Sequence, residues 1–110
     1  MEFNVSENNG VTVVAIEGSL DTQTAQEAQY KLGDLIDNGA DKILVNFDKL
    51  EYISSAGLRS LLFVAKKIKS KSGDFRVCSL NEVVTEVFEI SGFSTIINVS
   101  DDEVEAISKF

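Results

Sequence analysis

Ile43-Leu44-Val45-Asn46-Phe47, followed after a short connection by the stretch from Ser55 to Lys71 (SAGLRSLLFVAKKIKSK), decides the fold. The first run is short, apolar and biased to β-branched residues, with charge on both sides. That suits a central strand covered on at least one face. The second run sets Leu58, Leu61, Leu62, Ala65 and Ile68 at three- and four-residue spacing, the signature of a helix with one inward face. Lys66, Lys67, Lys69 and Lys71 gather near its end, where cations complement the helix dipole. A strand that hands over to a helix is the building unit of α/β domains.

The same alternation extends in both directions. Towards the start, Thr22 to Asn38 reads as a helix with Ala25, Ala28, Leu32, Leu35 and Ile36 as its apolar stripe, stopped by Asn38-Gly39. Val11 to Glu17 reads as a strand, and Gly18 to Asp21 as the loop leaving it. Phe3 and Val5 alternate with polar residues in a shorter strand, joined to the next by the hairpin signal Asn9-Gly10. Towards the end, Ser72-Gly73-Asp74 is a turn and Phe75 to Ser79 a strand. Asn81 caps a helix carrying Val83, Val84, Val87, Phe88 and Ile90, which ends at Gly92. Thr95 to Val99 is a short strand, and Ser100 is placed to cap a last helix with Val104, Ile107 and Phe110.

The expected order is β-β-α-β-α-β-α-β-α. Strands that alternate with helices are parallel neighbours joined by right-handed crossovers, and the opening hairpin adds one antiparallel strand at an edge. Residues 1–110 therefore read as a single α/β domain with a mixed, mostly parallel sheet. No repeat, low-complexity tract or linker interrupts it, and proline is absent.

Composition narrows the function. The chain has 110 residues, 44% of them hydrophobic, enough for one core without disulfide or metal staples. Its net charge of −8 disfavours nucleic acid and anionic membrane surfaces as partners and favours a protein with a basic docking surface. The lone cysteine, Cys78, sits in an apolar run and reads as a small buried hydrophobe. No signal-peptide pattern and no run approaching ~20 apolar residues is present, so the expected compartment is the cytoplasm. There is no histidine, no phosphate-binding glycine loop and no serine or cysteine paired with a base, which leaves no catalytic residue and no cofactor or metal to expect.

The most unusual segment precedes the second helix: Leu50-Glu51-Tyr52-Ile53-Ser54-Ser55-Ala56-Gly57-Leu58-Arg59. Two serines stand where that helix begins, and one is enough to cap it. Gly57 in the first turn costs up to ~1 kcal/mol of helix propensity against Ala, which suggests close approach by another backbone or a ligand. A helix start also accommodates a phosphate, through free N–H groups and the dipole. A phosphoserine there adds about two negative charges without disturbing the core. The plainer reading is a helix cap with a packing glycine, and the residues alone leave both open.

Tyr52 to Arg59 resembles the signature of STAS domains, the family of anti-sigma factor antagonists. Gly18-Ser19-Leu20-Asp21-Thr22 resembles the family's other marker, a Gly-x-Leu-Asp loop opening the first helix. The element order matches the family fold over essentially the whole chain. The resemblance implies a partner switch: the unphosphorylated antagonist binds an anti-sigma factor that is often also a serine kinase, and so frees the sigma factor. The kinase, using its own ATP, phosphorylates the antagonist and the complex dissociates. A serine phosphatase resets it. By position, Ser55 matches the phosphorylated serine and Asp21 the acidic residue of the neighbouring loop. The expected docking surface comprises Asp21, Ser54, Ser55, Ala56 and Gly57, together with Arg59 and Phe63, which lie off the buried stripe on the exposed side of the second helix. Many members carry aspartate where this chain has Ser54, and Asp-Leu where it has Asn46-Phe47. An alternative is a STAS interaction subunit that controls secretion, a phosphatase or a transport complex.

Overall fold

In the computed structural model, which describes residues 1–110, Asn9 and Gly10 take positive φ, 52° and 80°. Such a two-residue turn matches the twist of paired strands. It joins β1 (Glu2–Asn8) to β2 (Val11–Leu20) in antiparallel register, with Phe3 opposite Ile16 and Asn8 opposite Val11. From there the chain runs through α1 (Ala25–Asp37), β3 (Lys42–Asn46), β4 (Leu50–Ile53), α2 (Ser55–Ser70), β5 (Asp74–Cys78) and α3 (Glu82–Ser91). A short 3-10 turn, β6 (Asn98–Ser100) and α4 (Glu103–Ser108) complete it. The sheet order is β1-β2-β3-β5-β6, parallel except for β1. The expected mixed α/β fold is the one observed.

One strand exceeds the expected order. β4 pairs with the end of β2, parallel to it, just as β3 pairs with its beginning. The two strands thus run in line beside β2, separated by a turn at 47–49 in which Gly18 donates its N–H to the Lys49 carbonyl. The register shifts between Gly18 and Ser19, so Leu50 and Ile53 are buried while Glu51 and Tyr52 are exposed. That pattern breaks the two-residue alternation by which strands are read.

Strand residues alternate between two cores. Val14, Ile16, Ile43, Val45, Phe75 and Val77 face α1, α2 and α3, where Leu32, Leu61, Val64 and Phe88 meet them. Val11, Val13, Leu44 and Cys78 face the other way, onto Ala106 of α4, with Ile107 and Phe110 at the margin. Cys78 is fully buried, and burial raises its thiol pKa. No helix is long and apolar enough to cross a membrane.

Several local expectations change. The last strand is Asn98–Ser100 rather than Thr95–Val99, because Phe93–Thr95 form the 3-10 turn, and Val83 and Ile90 of α3 face solvent while Val84 and Phe88 are buried. α1 begins at Ala25 rather than Thr22, because the Asp21 carboxylate captures the N–H groups of Gln23 and Thr24 in a preceding turn. The inward face of α2 turns on Val64 rather than Leu62, which lies half-buried at its edge. Ser100 is buried in β6 with its hydroxyl unpaired, and Asp102 caps α4 by accepting from the Glu105 N–H at 2.8 Å. Val104, on that helix, faces solvent.

Candidate functional site

The mouth of α2 is built on the end of β2. Leu20 accepts a hydrogen bond from the Ser54 N–H at 2.8 Å. Ser54 then adopts the extended conformation of a cap, and its hydroxyl accepts from the Gly57 N–H at 3.2 Å. Its carbonyl accepts the first helical bond, from Leu58, at 2.9 Å. A helix opens with four N–H groups that lack intrahelical partners. Here the N–H groups of Ser54 and Gly57 are satisfied, and those of Ser55 and Ala56 remain for solvent or a ligand.

Gly57 accounts for the closeness of this junction. A Cβ there would lie 2.7 Å from the Leu20 carbonyl oxygen and 2.8 Å from Ile53 Cγ1. Gly57 is therefore buried packing, and of the expected docking residues it is the one that does not reach the surface. Behind it, Ser60 is buried and donates its hydroxyl to the Gly57 carbonyl at 2.7 Å.

Ser54 is half-buried and committed to capping, whereas Ser55 is exposed as the first residue of α2. The first turn carries no acidic residue, and Lys67 and Lys69 occupy the last. The dipole at the mouth of the helix thus meets no carboxylate of its own helix.

Asp21 stands next to Leu20 on the loop that feeds α1. Its Oδ1 accepts from the N–H groups of Gln23 and Thr24 at 2.9 and 3.1 Å. These bonds hold its carboxyl below the ordinary value of 3.8. Thr24 completes the knot: its hydroxyl accepts from the Asp21 N–H at 3.0 Å and donates to the Ser19 carbonyl at 2.7 Å. The loop is thereby fixed one residue from the carbonyl that anchors Ser54.

Ala56 is half-buried, while Arg59 and Phe63 lie on the exposed side of α2, with Phe63 48% exposed. Arg59 forms no ion pair. The structure therefore gathers Asp21, Ser54, Ser55 and Ala56 around the junction of β2 and α2, and Arg59 and Phe63 extend it along the helix. Two features were not read from the sequence. The Leu20 carbonyl is a backbone group with no residue signature. Tyr52, 46% exposed on β4 two residues before the cap, signalled only as part of the motif.

The chain is thus a small single α/β domain that holds one free serine at a capped helix mouth. More narrowly, the chain belongs to the STAS domain family, whose model matches residues 2–106. It is 33% identical over 110 residues to BtrV of Bordetella bronchiseptica, to which an anti-sigma factor antagonist role is ascribed, covering 100% of this chain and 95% of that protein. The anti-sigma-B factor antagonist of Bacillus subtilis is 29% identical over 100 residues, 91% of each chain. Among solved structures, an anti-sigma factor antagonist fold from Thermotoga maritima superposes with a TM-score of 0.92 at 24% identity, covering 97% of this chain and 92% of that one. SpoIIAA superposes in its unphosphorylated form with a TM-score of 0.75 (20% identity, 98% and 96% covered). Bacillus SpoIIAA in the phosphorylated form gives 0.74 (22% identity, 98% of both chains). Anti-sigma factor antagonists are non-enzymatic regulators.

Proposed function

We propose that this protein is a cytoplasmic anti-sigma factor antagonist that works by partner switching. Unphosphorylated, it binds an anti-sigma factor that is also a serine kinase and releases the sigma factor. Phosphorylation of Ser55 by that kinase breaks the complex, and a serine phosphatase restores it. Asp21, Ser54, Ala56, Arg59 and Phe63 belong to the docking surface, Gly57 supporting it from below.

The observation that carries this reading is the division of labour at the serine pair: Ser54 is spent on capping, and Ser55 is exposed with a free hydroxyl. A phosphate on Ser55 meets the unpaired N–H groups of the first turn and the positive end of the dipole. The fold stays intact while the surface gains about two negative charges. Like charges brought together at an interface cost several kcal/mol, enough to separate a complex. Support also comes from the relatives described as anti-sigma factor antagonists and from SpoIIAA, whose fold is kept in both phosphorylation states.

The experiment is incubation with the cognate anti-sigma kinase and ATP, followed by mass spectrometry and binding measurements. A single phosphate on Ser55, and loss of binding by Ser55→Asp, are expected. A phosphate on Ser54, or equal affinity of wild type and Ser55→Asp, rejects the mechanism.

A further inference from the structure

We infer that β1 is an assembly edge: a second copy of this chain pairs with it antiparallel through its own β1, with the two-fold axis at Val5. A strand at the edge of a sheet presents unpaired N–H and C=O groups, which proteins guard with short length, lysine, proline or a bulge. β1 stands at one end of the sheet. It has seven residues, keeps an unbroken register with β2, and contains neither lysine nor proline. The other edges are guarded. β6 is three residues long, and the Asn81 amide donates to the Leu50 and Glu51 carbonyls of β4 at 2.8 and 3.4 Å.

The hairpin fixes which groups of β1 face outward. Across a two-residue turn the closing pair, Asn8 and Val11, exchanges backbone bonds, and the pattern alternates from there. Glu2, Asn4, Ser6 and Asn8 therefore spend their N–H and C=O groups on β2. Those of Phe3, Val5 and Glu7 point out of the sheet. Val5 is 49% exposed, and a cavity of about 560 Å³, lined by Val5, Glu7 and Leu35 of α1, leaves room there for a neighbouring side chain.

The sequence of β1 selects its own copy. Val5 is the midpoint of the strand, so antiparallel pairing of all seven residues sets Val5 opposite Val5 and Phe3 opposite Glu7. It also sets Asn4 opposite Ser6 and Glu2 opposite Asn8. The outward groups of Phe3, Val5 and Glu7 then meet one another, each facing pair exchanging two hydrogen bonds. No acid faces an acid, the arrangement that destabilises paired strands. The Lys31 ammonium stands over the Phe3 ring, 5.3 Å from its centre, beside the place that Glu7 of the second copy takes. The two-fold axis makes this ion pair twice. The net charge of −8 opposes association, and salt screens that repulsion.

The test is sedimentation velocity of the untagged chain over a dilution series rising to millimolar concentration, at low and at physiological salt. A species of twice the monomer mass is expected at the high end, with more of it at physiological salt. Val5→Pro should abolish it while circular dichroism stays unchanged, because the N–H that proline lacks points away from β2. Glu7→Lys and Lys31→Glu should each weaken dimerisation by roughly tenfold, and the double swap should restore it. Glu7→Lys also lowers the net negative charge, so an association governed by overall charge alone would tighten instead. Ser55→Asp should dimerise as wild type does, which keeps this result apart from the switch. A monomer at every concentration, a folded Val5→Pro that still dimerises, or a double swap no better than the single variants overturns the inference.

Discussion

The Leu20 carbonyl oxygen lies 2.7 Å from where a Cβ on Gly57 would stand, and the same oxygen accepts the Ser54 N–H at 2.8 Å. One backbone group therefore sets both the depth at which α2 seats and the position of its cap. The serine pair is held by strand β2 rather than by its own loop.

Gly57→Ala should destabilise the protein although alanine is the better helix former. The helix gains up to ~1 kcal/mol from the change. Against that, the methyl meets a carbonyl and Ile53 Cγ1 at distances no Cβ tolerates, and neither neighbour is a free side-chain end. Overpacking of this kind costs about 1–3 kcal/mol. Urea unfolding should show a lower midpoint with an unchanged slope; a raised midpoint would mean that α2 shifts outward without penalty.

The two serines should behave oppositely on truncation. Ser54→Ala removes the acceptor for the Gly57 N–H and should cost about 1 kcal/mol. Ser55→Ala removes an exposed hydroxyl that bonds nothing in the chain and should stay within about 0.5 kcal/mol of wild type. Thermal melts of the two variants read the difference. Equal losses would show that both hydroxyls share the cap, leaving neither free.

The chain announced its fold more openly than the detail of its site. The long apolar periods of α1, α2 and α3 and the Asn-Gly hairpin are local signals, and each located its element, although α1 starts three residues later than its period suggested and α2 turns Val64 inward in place of Leu62. β4 escaped because its register shift at Gly18 removes the alternation that marks a strand. Ser100 and Asp102 are both capping residues two positions apart, and only the burial of Ser100 in β6 decides between them. Within the site, Ser54 and Ser55 are chemically the same. What separates them is where the chain leaves β4, a matter of tertiary geometry. Likewise Gly57 was legible as a close approach, but the partner, a main-chain oxygen on β2, was not.

Acid should weaken the loop beside the site. Hydrogen bonds from Thr24 and Gln23 lower the Asp21 pKa, as Lys67 and Lys71 lower that of Asp37. A carboxyl whose pKa is lower folded than unfolded contributes stability above its unfolded value, and that contribution disappears as pH falls through the folded value. For both residues the loss begins near the ordinary value of 3.8 and continues below it. Asp21→Asn keeps an acceptor oxygen for the turn but removes the titration. Urea midpoints compared at neutral pH and near pH 3 should therefore fall less in Asp21→Asn than in wild type. A parallel fall in both would place the acid sensitivity elsewhere.

Ser55→Asp should make the free domain slightly more stable, even as it abolishes partner binding. The substitution puts a carboxylate at the first position of α2, whose opening turn carries no acid and has two unpaired N–H groups. A negative charge at a helix start is worth about 0.3–1 kcal/mol at low ionic strength, and salt screens it. The melting temperature should thus rise at low salt, and the gain should shrink as salt is added. This separates two explanations of a binding defect. If binding is lost while stability rises, the charge acts at the interface. If stability falls with binding, the mouth of the helix does not tolerate an anion, and phosphorylation there would unfold the docking surface instead of recharging it.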